Sequence, residues 1–134
     1  MIKSDDTGKL VLRLSLGILV LLHGIMKLSS GVGGISGMLS SHGLPGFFAY
    51  AAYLGEVVGP LLVILGFYSR LGALLVVVNM IVAIMLAHTG QLSSLNAQGG
   101  WALELQGMFL FGALAIAFMG AGRFSLGGSG GRWN

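Results

Sequence analysis

The chain has 134 residues, 55% of them hydrophobic and 8% charged, with 24 glycines, no cysteine and a net charge of +3. Soluble domains carry about 25% charged residues and about 7% glycine, and a small globule buries only part of the surface its chain exposes. An ordinary soluble enzyme is therefore excluded, and the mean hydropathy of +0.92 describes a chain whose solvent is lipid.

Span one runs from about Leu10 to Leu28 and is interrupted only by Arg13, Ser15, His23, Lys27 and two glycines. Its length and its internal charges make it an uncleaved anchor rather than a signal peptide. The first loop, Ser29 to Gly46, is glycine-rich, with a partly helical stretch through Ile35, Met38 and Leu39 that could lie over the bundle. Span two, about Phe47 to Phe67, contains one charge, Glu56. Span three, about Leu71 to Ala87, has only Asn79 as a strongly polar interior residue, and span four, about Trp101 to Met119, carries Glu104 and Gln106 near its start. Spans of this length cover a hydrocarbon core of about 30 Å, and lipid forbids unpaired backbone, so all should be helices. Residues 1–126 then form one membrane domain, and 127–134 read as a flexible Gly/Ser-rich tail. The expected fold is all-α, an integral membrane four-helix bundle.

Charge gives the bundle a direction. Lys3, Lys9, Arg13, Arg70, Arg123 and Arg132 lie at the N-terminus, in the second loop or in the tail, whereas the first and third loops hold no Lys or Arg. The positive-inside rule places both termini in the cytoplasm of a bacterial inner membrane, with Arg13 and Arg70 at the boundary in orientation and headgroup roles. So few basic residues do not make a nucleic-acid surface. Aromatics mark the edges: Phe47, Phe48, Tyr50, Tyr53 and Trp101 outside, Phe67, Tyr68 and Phe124 inside.

The ionisable residues within the spans carry the chemistry, since a charge at mid-bilayer costs about 2.5–3.5 kcal/mol unless paired or used. His23 and Lys27 share one face of span one, with His23 about 7 Å inside its outer end. Glu56 lies about 13 Å in from the outer end of span two, Glu104 is about 5 Å from that of span four, and His88 closes span three on the same side. These five residues are the candidate site, with Glu56, Lys27 and His23 as its proton-handling core. Pro60 has no N–H, so the Glu56 carbonyl loses its helical donor, and Gly55 and Gly59 beside it permit close approach. Asn79 reads as interhelical glue. No metal site is expected: the methionines are scattered, and a haem between His23 and His88 meets a depth mismatch of about 7 Å.

In order and spacing the chain resembles the DoxX family of small four-span bacterial inner-membrane proteins. The resemblance rests on Leu12-Arg13, Gly24, Lys27-Leu28, Gly43-Leu44-Pro45, Glu56, Gly59, Leu65-Gly66-Phe67, Arg70 and His88. It implies a four-helix bundle and an association with respiratory redox chemistry, since family members include a subunit of thiosulfate:quinone oxidoreductase and components of oxidative-stress complexes. Arg13, Lys27, Glu56, Arg70 and His88 are the polar residues that match the family pattern.

The functional expectation is a membrane subunit linked to quinone-dependent redox chemistry. An apolar slot open to lipid would take the quinone, and His23, Lys27 and Glu56 would exchange protons at its carbonyls. Without cysteine, any redox cofactor is borrowed. The expected partners are the lipid bilayer, a soluble or membrane oxidoreductase and further copies of the chain. Two alternatives remain open: a non-enzymatic scaffold or anchor for a soluble protein, and a small transporter with Glu56 as its midplane site.

Overall fold

The computed structural model of the chain describes residues 5–31, 33–43, 45–87, 95, 99–100, 103–128 and 132–134. Among these residues the fold is helical, with no strand. In chain order it comprises α1 (Asp5–Ser30), α2 (Gly33–Ser41), a 3₁₀ turn (Gly46–Ala51), a π turn (Leu54–Val58), α3 (Gly59–Leu65), α4 (Ser69–Ala87) and α5 (Glu104–Met119).

α1 starts with Asp5 and Asp6 in its first turn, where carboxylates meet the positive end of the helix dipole. Its inward face repeats at helical spacing through Arg13, Leu16, Gly17, Val20 and Gly24, all buried. Ala73, Val76, Val77 and Met80 of α4 and Phe109, Ala113 and Ile116 of α5 do the same, and with Val63 of α3 they close one apolar core. α1 packs on α3, α5 and the π turn, while α4 packs on α3, α5 and the π turn from the other side. The π turn and α3 are thus the element gripped by the two longest helices. The glycine-rich first loop contains α2, which lies against the 3₁₀ turn and buries Leu39.

The outward faces of the same helices are apolar as well. Leu19 and Leu22 on α1, Leu61 and Leu65 on α3, Val78 and Met85 on α4, and Phe111 and Phe118 on α5 are all 42–76% exposed. Monomeric soluble proteins rarely display so much contiguous apolar surface. One helical stretch among the described residues, Asp5–Met26, is long and apolar enough to cross a membrane alone. Leu54–Leu65, Ser69–Met85 and Glu104–Met119 are apolar but shorter.

Span two departs from the single helix expected over Phe47–Phe67: it is a 3₁₀ turn, a π turn and a short α-helix in succession. The reason is local. Pro60, in the first turn of α3, cannot donate to the carbonyl four residues earlier, and the Gly59 N–H bonds instead to the Leu54 carbonyl, five residues back. The described end of the chain packs back onto α4. Asn134 is buried, its amide oxygen accepts the Ser69 N–H at 3.0 Å, and the Trp133 carbonyl accepts the Arg70 N–H at 2.8 Å. Both donors are first-turn amides of α4, which have no partner within the helix and so require an acceptor from elsewhere.

Candidate functional site

The π turn places Glu56 at 5% exposure between α1 and α4. Such turns are rare in helices and concentrate at functional positions. On the α1 side the approach is at backbone distance: a methyl at Gly24 would run into the Glu56 carbonyl, with its carbon at 2.7 Å. Only glycine fits there. It turns its Cα hydrogens toward a carbonyl whose normal helical donor position is filled by proline, the weak C–H···O geometry common where helices touch.

The α4 side is equally close. A methyl at Gly55 would meet the Asn79 side chain, 3.0 Å from Oδ1, and one at Gly59 would come within 2.9 Å of the Gly72 carbonyl. Asn79 therefore sits against the residue preceding Glu56, which is where interhelical glue would be needed. The expected lost donor at Pro60, the glycines beside it and the polar residue of span three all converge on one turn.

The remaining candidates fall at different places. His23 neighbours Gly24 in sequence but faces another way: its ring meets Phe109 of α5 edge-on, with centroids 5.6 Å apart and planes at 79°, and it is exposed on the bundle surface. Glu104 is exposed as the first residue of α5. Lys27 follows Gly24 by three residues on α1; its side chain lies outside the described residues, and so does His88 altogether. The structure thus brings Glu56, Gly24 and Asn79 together, with His23 one residue further round α1.

Arg13 was expected at a membrane boundary in an orientation role. Instead it is 1% exposed and holds the opposite end of the bundle together. Its Nε donates to the Val63 carbonyl at 3.0 Å and Nη2 to Ile64 at 3.0 Å, while Nη1 donates to Ala121 and Phe124, both at 2.9 Å. Val63 and Ile64 lie in the last turn of α3, where carbonyls lack helical donors and the dipole favours a cation. α3 stops there because Gly66 is left-handed (φ 70°), and the Phe67 N–H closes back onto the Leu62 carbonyl at 3.2 Å. A methyl on Gly66 would also sit 2.5 Å from the Arg13 Nη2. Beside this clamp, Asp6 pairs with Arg123 at 3.5 Å and accepts its backbone N–H at 3.1 Å, tying the start of α1 to the segment after α5.

Residues 8–89, from α1 through α4, match the DoxX family. The chain is 36% identical over 83 residues to the protein named "Putative oxidoreductase CatD" of Bacillus subtilis (strain 168). That alignment covers 62% of this chain and 61% of the relative. No solved structure matches. The matched stretch holds the Gly24–Glu56 contact, the π turn, Asn79 and Arg13, and by its extent the chain belongs to the DoxX family.

Proposed function

We propose that this chain is a four-span membrane protein, both termini cytoplasmic, that holds a quinone or similar amphipathic redox carrier beside Glu56 and serves a partner oxidoreductase. The observation that carries the reading is Glu56 itself, a carboxyl-bearing residue buried in a π turn inside an apolar bundle. Ionisable residues within membrane segments are by default site candidates. The lipid-like outer surface supports the spans. The grouping of Arg70, Arg123 and Arg132 at the end opposite the Glu56 level supports the orientation. The name of the Bacillus subtilis relative, an oxidoreductase, supports the redox class.

The residues fit a quinone head. Leu22, Ile25 and Met26 on α1 and Leu54 on the π turn are exposed and apolar, so this level of the bundle can meet lipid. His23, exposed against Phe109, has an imidazole able to donate or accept a proton, and Glu56 is buried on the neighbouring π turn. When bound, a quinone supplies two-electron, two-proton carriage, and the electrons belong to the partner. The chain would orient the head and move protons to and from its oxygens.

The test is mass spectrometry of small molecules retained by the protein purified in native lipids, beside Glu56→Gln. A quinone held by wild type and lost in the variant supports the reading. Ordinary lipid alone in both overturns it. The broken span two also suits a carrier, because transporters build midplane sites on interrupted helices. A solute flux in proteoliposomes that Glu56→Gln abolishes, with no retained quinone, would favour that second reading.

A further inference from the structure

At the opposite end of the bundle a separate open groove of about 320 Å³ lies between α4, α5 and the returning chain end. Its wall is apolar, with Leu74 from α4 and Leu114 and Phe118 from α5, and its rim carries Arg70, Arg132 and Trp133. Phe118 at 76% and Leu74 at 38% exposure continue the wall onto the lipid-like outer surface. No acidic residue lines it. The Arg70 Nε is buried and, among the described residues, has no hydrogen-bond partner. The first-turn amides of α4 are already taken by Trp133 and Asn134, so the two guanidinium groups are not needed to hold the chain end.

Two cations and an indole at the mouth of an apolar trough match a negatively charged phosphodiester carrying acyl chains. We propose that this groove binds an anionic phospholipid, with its phosphate between Arg70 and Arg132, its acyl chain along Leu74, Leu114 and Phe118, and Trp133 at the headgroup level. Guanidinium groups hold phosphate oxygens with paired donors, and tryptophan favours the membrane interface. A zwitterionic headgroup would bring an ammonium that, among the described residues, no carboxylate side chain on the groove receives. The inference rests on the membrane reading above but not on Glu56 or its ligand.

The experiment uses the full chain with Trp101→Phe, which leaves Trp133 as its one indole. Detergent-extracted protein is titrated with dihexanoyl phosphatidylglycerol, dihexanoyl phosphatidylcholine or inorganic phosphate while Trp133 emission is followed. The expected result is a saturable shift with phosphatidylglycerol, weakened about fivefold by Arg70→Gln and by Arg132→Gln. Phosphatidylcholine should bind more weakly and phosphate alone should produce no shift. Equal response to both lipids, or unchanged affinity in both variants, overturns the proposal. A shift with phosphate alone assigns the groove to a free oxyanion and overturns the lipid. Far-UV circular dichroism checks the variants, and Arg132→Gln, in the chain end, keeps the test open should Arg70→Gln unfold. Because the titration reads extracted protein, its failure leaves the spans standing, and a wrong topology would not abolish it.

Discussion

Replacing Arg13 with methionine removes a charge but keeps a side chain of similar reach. Four carbonyls then lose their donor: Val63 and Ile64 at the end of α3, Ala121 and Phe124 after α5. Bonds to Ile64 and Phe124 are only partly buried, so water replaces them at little cost. Those to Val63 and Ala121 are buried; Val63 keeps the Gly66 N–H at 3.2 Å, but Ala121 is left unmatched, which costs about 1–3 kcal/mol. The methionine stem retains packing, and the desolvation cost of the guanidinium is relieved, which offsets part of the loss. The expected destabilisation is about 1–3 kcal/mol, or on the order of thirtyfold in the unfolding equilibrium near its centre. Arg13→Lys should fall between, since one ammonium cannot span both helix ends. Unfolding in mixed dodecyl maltoside and sodium dodecyl sulfate micelles, followed by far-UV circular dichroism, orders the three proteins. An Arg13→Met variant within about 0.5 kcal/mol of wild type would refute the clamp.

The glycine contacts separate cleanly by position. Gly24→Ala should cost about 1–3 kcal/mol in the same assay, because its methyl meets the Glu56 carbonyl. Gly8→Ala, also in α1 but with open space around it, should be neutral or stabilising by up to about 1 kcal/mol. Gly66→Ala combines a positive φ with contact to Arg13 and Ser125, so it should lower stability by at least about 1 kcal/mol and weaken the effect of a second Arg13→Met change. Asp6→Asn should change stability by less than about 1 kcal/mol and lose that effect in high salt, since Arg123 is 68% exposed.

What could be read from the residues depended on where their partners lie. The inward stripe of α1 and the apolar faces of α4 and α5 follow from helical spacing, and these three helices stand where the hydrophobic runs placed them, whereas span two does not form one helix. Depth alone singled out Glu56 as a candidate, and Pro60 announced the missing donor beside it. The π turn was not legible, because a lost donor can be answered by a kink, a water or a shifted register, and packing against Gly24 and Asn79 decides which. Arg13 was misread for a related reason. A cation near the end of an apolar run has the appearance of an orientation signal. Its true partners are backbone carbonyls 50 to 111 residues away, which have no side-chain identity to recognise. Asn134 escaped notice in the same way, accepting the backbone amide of Ser69, 65 residues earlier.

The central claim is that the chain crosses the membrane several times and carries Glu56 inside the bundle. The absence of cysteine makes this directly testable, because each introduced thiol reports alone. In intact spheroplasts, a membrane-impermeant maleimide should label Ser41→Cys at the end of α2. It should reach Asp5→Cys and Ser125→Cys only after the membrane is opened, and should leave Glu56→Cys unlabelled in both states until the protein is denatured. Labelling of Ser41→Cys and Asp5→Cys from the same side, or ready labelling at position 56 in the folded protein, would contradict the account.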